Sequence, residues 1–286
     1  MSGKLKLYGF TGSNSVYTGR LMLEHKGLEY DFVKLPPAVH APTMLMLGFP
    51  TMGVPAIKVG GVRVQGTRWI ARALDEMYPD KPLLFPTDPV RRREVQDAER
   101  WGEDLQNAVR RIFYCAARRD RKAFLSVLGA GRGPVKSLGM RMLAPVVIKL
   151  ATGLHRASDE AGREDVELLP ERMDKIDAWI ADGVLGGEQL NAADFQVAVN
   201  VAALMLSEDL APYIDWRPAA ALARRVLPEY GGHIGPVVPA EWMAELRAAA
   251  GSPGRPLADR PSTGAAPPLA PGSDAVRFAT IMRSNL

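Results

Sequence analysis

The chain has 286 residues, of which 47% are hydrophobic, and this length suggests about two folded domains. Its 36 basic and 32 acidic residues leave a net charge of only +4, which argues against a nucleic-acid-binding protein. The single cysteine, Cys115, excludes an intrachain disulfide and fits a reducing cytoplasm, and the four scattered histidines lack the spacing of a metal site.

Charges interrupt every apolar stretch of about twenty residues, which argues against a membrane-spanning helix. The first residues, MSGKLKLYGF, lack the pattern of a signal peptide. The most apolar stretch, residues 138–154, contains Arg141, Pro145 and Lys149, which favours a buried or subunit-contacting helix.

The chain begins with a pattern typical of a β-α-β unit. Residues 5–10 alternate in polarity and predict a strand, and a small, hydroxyl-rich loop follows at residues 11–15. Residues 16–26 predict a helix that ends at Gly27, and residues 30–35 predict a second strand. This order implies two parallel strands with a right-handed crossover.

The segment at residues 51–75, TMGVPAIKVGGVRVQGTRWIARALD, is the most informative in the chain. After an irregular stretch with a short helix at 41–47, two apolar strands joined by Gly60-Gly61 predict a β-hairpin. A helical period then begins near Thr67, which is an N-cap or a first-turn residue. An X-Pro strand beside a helix N-terminus is suited to holding a peptide-like anion.

The remainder of the chain is predicted to be helical. Prolines at 79, 82, 86 and 89 indicate a linker, and Asn191 and Asp194 form a capping box before an apolar helix. The predicted helices cover residues 90–128 (as one helix or two), 134–157, 165–183, 195–206, 216–227 and 240–250. Residues 251–286 are rich in Pro, Gly, Ser and Ala and predict a disordered tail.

The order VPAI, then GG, then QGTRWIARALDE resembles the glutathione-binding half of the glutathione S-transferase family. The resemblance implies that Pro55 follows a cis bond and that the backbone of Val54 pairs with the cysteinyl part of glutathione. It also implies that Thr67 holds the γ-glutamyl end. Gly66 departs from the family pattern, which has Glu, Asp or Gln there, and Gln65 precedes it by one residue.

The loop after the first strand is the predicted site of thiol chemistry. It contains Ser13, Asn14 and Ser15 in place of a redox cysteine, and a hydroxyl near a helix N-terminus can donate a hydrogen bond to a thiolate. The loop resembles that of the serine-type transferases, especially the zeta class, which implies Ser13 as the catalytic serine, with Ser15 as the alternative. A polar turn that only caps a helix is the other interpretation.

Other candidates carry weaker signals. The resemblance implies that His40 contacts the glycyl carboxylate of glutathione, and an exposed loop histidine is the alternative. Tyr8 and Tyr17 are secondary candidates for the thiol site, and the resemblance matches Arg20 to an arginine of the first helix. Cys115 lies within a predicted helix and is interpreted as an inert core residue.

The fold class predicted is α/β plus all-α. A thioredoxin-like domain at residues 1–83 precedes an all-helical domain at 84–250 and the tail at 251–286. The family resemblance implies a homodimer that activates glutathione or a related thiol for attack on an electrophile lying near residues 101–112. The single cysteine predicts a cytoplasmic location, and the scattered histidines predict no metal. The alternatives are a non-catalytic binding module and a thiol-dependent isomerase or dehalogenase.

Overall fold

A four-stranded mixed sheet lies at the start of the computed structural model, which describes residues 4–36, 40–119 and 138–250. Its strands are β1 (Lys6–Gly9), β2 (Asp31–Lys34), β3 (Ala56–Val59) and β4 (Val62–Gln65). The spatial order is β2-β1-β3-β4. Strands β1 and β2 are parallel, as the β-α-β pattern predicts, and the other two pairs are antiparallel.

Alternation along the strands gives the sheet two apolar faces. On one face Leu7 and Ile57 belong to the main core, together with residues of α1 (Asn14–His25) and α3 (Thr67–Met77). On the other face Tyr8 and Ala56 pack with Met44 of α2 (His40–Met46). The helices therefore cover both faces of the sheet.

The rest of the described chain is helical. The helices are α4 (Pro89–Arg119), α5 (Leu138–Leu154), α6 (Asp159–Glu167), α7 (Leu169–Ala181), α8 (Ala192–Met205), α9 (Ala211–Ile214), α10 (Pro218–Val226) and α11 (Ala240–Ala250). Helix α8 is buried over residues 192–204 and contacts α1, α4 and α10, since a helix that is apolar all round needs partners on every side.

The predicted fold class is confirmed: a thioredoxin-like sheet and helix domain precedes a helical region. The capping box is present, because the Asn191 side chain accepts from the amides of Ala193 and Asp194 while the Asp194 side chain accepts from the Asn191 amide. The domain boundaries stay predictions, and the tail at 251–286 lies outside the described residues.

Several element boundaries differ from the predictions, and the largest differences are in α1 and in α6 and α7. Helix α1 begins at Asn14 rather than near residue 16, because Ser13 caps it. The single helix predicted at 165–183 is two helices, α6 and α7, that meet at Leu168, and the first begins at Asp159 after its own serine cap, Ser158. The predicted helical residues 120–128 and 134–137 lie outside the described part of the chain.

Candidate functional site

The serine loop, residues 11–15, brings two hydroxyl groups together at the start of α1. The Ser13 Oγ accepts a hydrogen bond from the Val16 amide at 3.5 Å and lies 3.0 Å from the Ser15 Oγ. Ser13 and Ser15 keep only 8% and 5% of their surface exposed. The loop therefore forms a nearly buried pair of hydroxyls at a helix N-terminus, where the dipole favours negative charge.

The direction of the two hydroxyl protons follows from their partners. Ser15 donates to the backbone carbonyl of Val54 at 3.1 Å. Because a hydroxyl has one proton, Ser13 is then the donor in the pair with Ser15. The fold thus joins Ser13, Ser15 and Val54, three residues singled out by sequence, in one chain of hydrogen bonds.

The segment before β3 has the geometry that the resemblance implied. The Val54–Pro55 peptide bond is cis. A Cβ atom on Gly19 of α1 would lie 3.4 Å from the Pro55 Cβ, so the helix passes close to the proline. The backbone of Val54 and Pro55 is therefore held between the serine loop and the hairpin.

Gln65 holds the loop that leads to Val54. Its side-chain amide donates to the carbonyls of Thr51 at 2.8 Å and Gly53 at 2.5 Å, and its Oε1 accepts from the Thr51 amide at 3.0 Å. All three hydrogen bonds go to loop backbone. The Gln65 side chain consequently supports the shape of the Val54–Pro55 segment rather than facing the first turn of α3.

Gly66 is the N-cap of α3 and leaves the first turn without a side-chain cap. Its φ of 92° lies in the region that favours glycine. A Cβ atom at this position would meet only the Trp69 Cδ1, at 3.6 Å, so there is room for a side chain. Thr67 is the first helical residue and is buried, which places its amide at the positive end of the helix dipole.

The remaining candidates lie around these groups. His40 begins α2, and its ring packs against Phe10, next to the serine loop, with the ring centroids 5.0 Å apart. Arg20 donates to the Tyr30 hydroxyl at 3.0 Å and pairs with Glu24 at 3.3 Å. Its side chain is thus held by Tyr30 and Glu24.

The aromatic candidates and Cys115 have packing roles. Tyr8 packs edge-on against Phe49, and Tyr17 packs edge-on against Tyr230. Cys115 is buried, its thiol donates to the Ser158 carbonyl at 3.1 Å, and burial raises the pKa of that thiol. A buried thiol with a raised pKa is a poor nucleophile.

Arg110 of α4 was missed by the sequence analysis. Its Nη2 donates to the Ser15 Oγ at 3.4 Å, and its Nη1 donates to the Asn107 Oδ1 at 3.4 Å. The available signal was an arginine placed next to Val109, a residue of the apolar stripe of a long helix. That signal places Arg110 near the core but does not say which group it contacts.

A second missed contact runs through amide side chains. Asn14 donates to the Asn200 Oδ1 of α8 at 3.2 Å. Asn200 in turn donates to the carbonyls of Gln196 at 2.7 Å and Gly102 at 3.4 Å. These hydrogen bonds of Asn14 and Asn200, called the polar line below, connect the serine loop to α8 and α4. They fix the loop against the helical region.

Burial shapes the charges beside Arg110. Burial lowers the pKa of Arg110 and raises the pKa of Tyr114, one helical turn further along α4. Burial, followed by the charges of Arg110 and Arg111, lowers the pKa of His155 to about 4. The Tyr114 phenol and the His155 imidazole are therefore neutral at neutral pH, and they lie near a guanidinium, a group that stays protonated in proteins.

The described residues lack two other features, a metal-binding cluster and a membrane-spanning helix. No group of three or more His, Cys, Asp or Glu side chains there could hold a metal ion. No helix in the same residues is long and apolar enough to cross a membrane.

Comparison with protein families identifies the N-terminal part of the chain. Residues 7–82 match the family model described as "Glutathione S-transferase, N-terminal domain". This match supports the family predicted from the sequence, whereas the serine-type, zeta-like detail has no such support. No curated protein matches the chain.

Several solved structures with a similar fold are titled glutathione transferases, and their sequence identity to this chain is low. Glutathione transferase F7 from Populus trichocarpa is 17% identical, with a TM-score of 0.55 over 85% of this chain and 98% of that one. A glutathione S-transferase from Rhodospirillum rubrum F11 is 20% identical, with a TM-score of 0.50 over 85% and 99%.

A third structure contains a ligand related to glutathione. It is a glutathione S-transferase from Methylobacterium radiotolerans JCM 2831 in complex with glutathione sulfonate. It is 18% identical, with a TM-score of 0.51 over 82% of this chain and 98% of that one. At these identities the likeness of all three structures establishes the fold alone.

Proposed function

Because residues 7–82 are a glutathione S-transferase N-terminal domain, we propose that the chain binds glutathione, or a related low-molecular-weight thiol, and activates it for attack on an electrophilic small molecule. The observation that carries this proposal is the hydrogen-bonded group of Ser13, Ser15 and the Val54 carbonyl beside a cis proline. The thiol lies along Val54–Pro55, with its sulfur at the serine pair.

The hydrogen bonds indicate different roles for the two serines. Ser15 stays on the Val54 carbonyl and keeps that backbone in place. Ser13 turns its proton from Ser15 to the sulfur, where it favours the thiolate. The sulfur, whose proton has already gone to solvent, then supplies the electron pair of the new S–C bond. The bond that breaks at the electrophilic carbon gives its electron pair to the leaving group, which departs to solvent. Ser13 is therefore the catalytic residue and Ser15 the positioning residue.

The other end of the thiol ligand is held by Thr67 and the first turn of α3. Free amides at a helix N-terminus bind carboxylates, and the γ-glutamyl group carries one. His40 supplies a further contact near the glycyl end. Gly66 offers only its backbone, so we expect weaker glutathione binding than a site with an acidic residue there would give.

A second candidate function is a non-catalytic binding module. It is favoured by Gly66 and by the Gln65 side chain, whose hydrogen bonds are all made to the loop at residues 51–53. A thiol-dependent isomerase or dehalogenase is a third possibility that would use the same thiolate.

Calorimetric titration with reduced glutathione, followed by Ser13→Ala and Ser15→Ala, tests the proposal. We expect glutathione binding in the micromolar to millimolar range. Losing one hydrogen bond to a charged sulfur should lower turnover by about tenfold to a hundredfold in Ser13→Ala, with binding retained. Ser158→Ala is the matched control, because Ser158 also caps a helix and its hydroxyl accepts from the Ala161 amide of α6 rather than from the serine loop.

The outcomes separate the candidates. Binding without turnover on a panel of electrophiles would favour the binding module. Turnover that is unchanged in both serine variants would contradict the proposed site. An absence of heat with glutathione, confirmed by thermal shift, would remove glutathione as the ligand.

The assembly and location are proposed on the family resemblance. We propose a homodimer in the cytoplasm whose partners are small molecules rather than nucleic acid or membrane. Light scattering would measure the mass of the particle, and a value of one chain would contradict the dimer.

A further inference from the structure

Arg110 is a cation that faces the serine loop, and no carboxylate among the described residues is hydrogen-bonded to it. Its side chain is half-buried, and its described hydrogen bonds go to the hydroxyl of Ser15 and the amide oxygen of Asn107, not to a carboxylate. Glu103, whose charge reaches Arg110, lies 3.6 Å from Arg68 in a salt bridge of its own. A guanidinium placed in this way has further N–H groups that can donate to a ligand.

Two neutral side chains extend the same site. Tyr114 is four residues from Arg110 and so lies on the same face of α4, and it is close enough to affect the pKa of Arg110. The His155 ring stacks on Tyr114, with centroids 5.3 Å apart and planes at 9°. Among the described residues, neither the Tyr114 hydroxyl nor the His155 ring nitrogens have a hydrogen-bond partner.

We infer that Arg110 and Tyr114 form a subsite for an oxyanion, so that the electrophile of the proposed reaction carries a carboxylate or an equivalent planar anion. The inference rests on the proposed function, because it takes the sulfur to lie at the serine pair. Arg110 contacts Ser15 from α4 of the helical region, so an electrophile that lies against this region would meet its guanidinium. The anion then lies within one side-chain length of the reacting sulfur.

The shape of the donors favours a carboxylate over the thiolate as the anion. A guanidinium presents parallel N–H groups that match the two oxygens of a carboxylate, and a single sulfur atom cannot use that fork. The Tyr114 hydroxyl adds a donor one helical turn along α4 from Arg110. The ring of His155 stacks on Tyr114.

A pair of glutathione conjugates that differ in one group tests the subsite without turnover. S-carboxymethylglutathione ends in a carboxylate, and S-carbamoylmethylglutathione has the neutral amide of the same size. We expect the unmodified protein to bind the carboxylate at least about tenfold more tightly by calorimetry. In Arg110→Gln the two affinities should agree within about twofold, while the affinity for the amide stays unchanged.

Three comparisons make the result decisive. Arg110→Lys keeps the charge but loses the fork, so it should retain part of the preference, and Tyr114→Phe should reduce it. Arg100→Gln changes an exposed arginine of the same helix and should leave the preference intact. Reduced glutathione serves as a third ligand that reports on the thiol site alone.

Several results would overturn the inference. Equal binding of the two conjugates by the unmodified protein would show that there is no oxyanion subsite. An equal loss of affinity for glutathione and both conjugates in Arg110→Gln would assign the arginine to the thiol instead. If none of the three ligands binds the unmodified protein, the proposed function itself fails.

Discussion

Burial brings the pKa of one carboxyl group, that of Glu99, close to neutral pH. Glu99 of α4 has no exposed surface, and burial raises its pKa to about 7 even though Arg72 opposes the shift. Arg72 of α3 donates to the Glu99 Oε2 at 2.8 Å, while the Oε1 has no hydrogen-bond partner among the described residues. The protonated form is therefore well populated at neutral pH.

Glu99→Gln should change the pH dependence of stability. Between the unfolded pKa of about 4.3 and the folded pKa of about 7, the native state binds more protons, so its free energy of unfolding falls as pH rises. The fall amounts to at most about 4 kcal/mol, and it ends above pH 7. Glutamine has no proton to lose, so the variant should gain relative to the unmodified protein between pH 5 and pH 8.

Urea unfolding of both proteins at pH 5 and pH 8 measures this difference. Other groups that titrate in the window, such as His155, cancel because both proteins contain them. A difference in unfolding free energy that is the same at both pH values would contradict the raised pKa of Glu99.

Among the elements, close approach of α4 and α8 depends on a glycine. A Cβ atom on Gly102 would lie 2.9 Å from the Gln196 Cγ and 3.1 Å from the Val197 Cγ2. The same approach lets Asn200 donate to the Gly102 carbonyl. The contact between these two helices is thus also the contact that carries the polar line from the serine loop.

Gly102→Ala should destabilise the protein despite the better helix propensity of alanine. We expect a loss of about 1–3 kcal/mol from overpacking, against a propensity gain of about 1 kcal/mol. Gly153→Ala in α5 is the matched control, since nothing lies within 4 Å of its added Cβ atom, and it should be neutral or stabilising. Equal thermal shifts for the two variants would refute the packing argument.

The capping box of α8 gives a second prediction at this scale. Asn191→Ala removes the acceptor for the amides of Ala193 and Asp194 and should lower stability by about 1–2 kcal/mol. Asn191→Ser keeps a capping oxygen and should lose much less. Denaturant midpoints compare the variants, and an alanine variant as stable as the serine variant would contradict the cap.

At the scale of the whole molecule, a buried ion pair ties the linker to the sheet domain. Lys26 is fully buried and donates to Asp75 at 2.8 Å and to the Pro82 carbonyl at 3.0 Å. Asp75 also accepts from the amides of Leu84 and Phe85. One carboxylate therefore joins α1, α3 and the chain that leads to α4.

Asp75→Ala should destabilise the protein by about 3–5 kcal/mol, because it leaves Lys26 buried without its counter-charge and two amides without an acceptor. Asp31→Ala breaks the exposed pair with Lys4 and serves as the control, with a far smaller effect. Chemical denaturation of both variants measures the difference. A loss below about 1 kcal/mol for Asp75→Ala would show that the linker does not depend on this pair.

Local patterns in the sequence were sufficient for the elements and for part of the site. Gly60-Gly61 between apolar strands predicted the hairpin, and the helical period after Thr67 predicted α3, because turn geometry and burial of one face are properties of neighbouring residues. The same reasoning merged α6 and α7 and overlooked Pro170, which lies in the first turn of α7, a position typical of proline at a helix start.

Only the tertiary structure decided how the site is assembled. Arg110 meets Ser15 across 95 residues, and Asn14 meets Asn200 across 186. Gln65 donates to loop carbonyls rather than facing α3, because the hairpin brings it beside residues 51–53. Such contacts depend on how whole elements pack, and packing is decided by the combined shape of distant side chains, so the spacing of residues along the chain does not encode it directly.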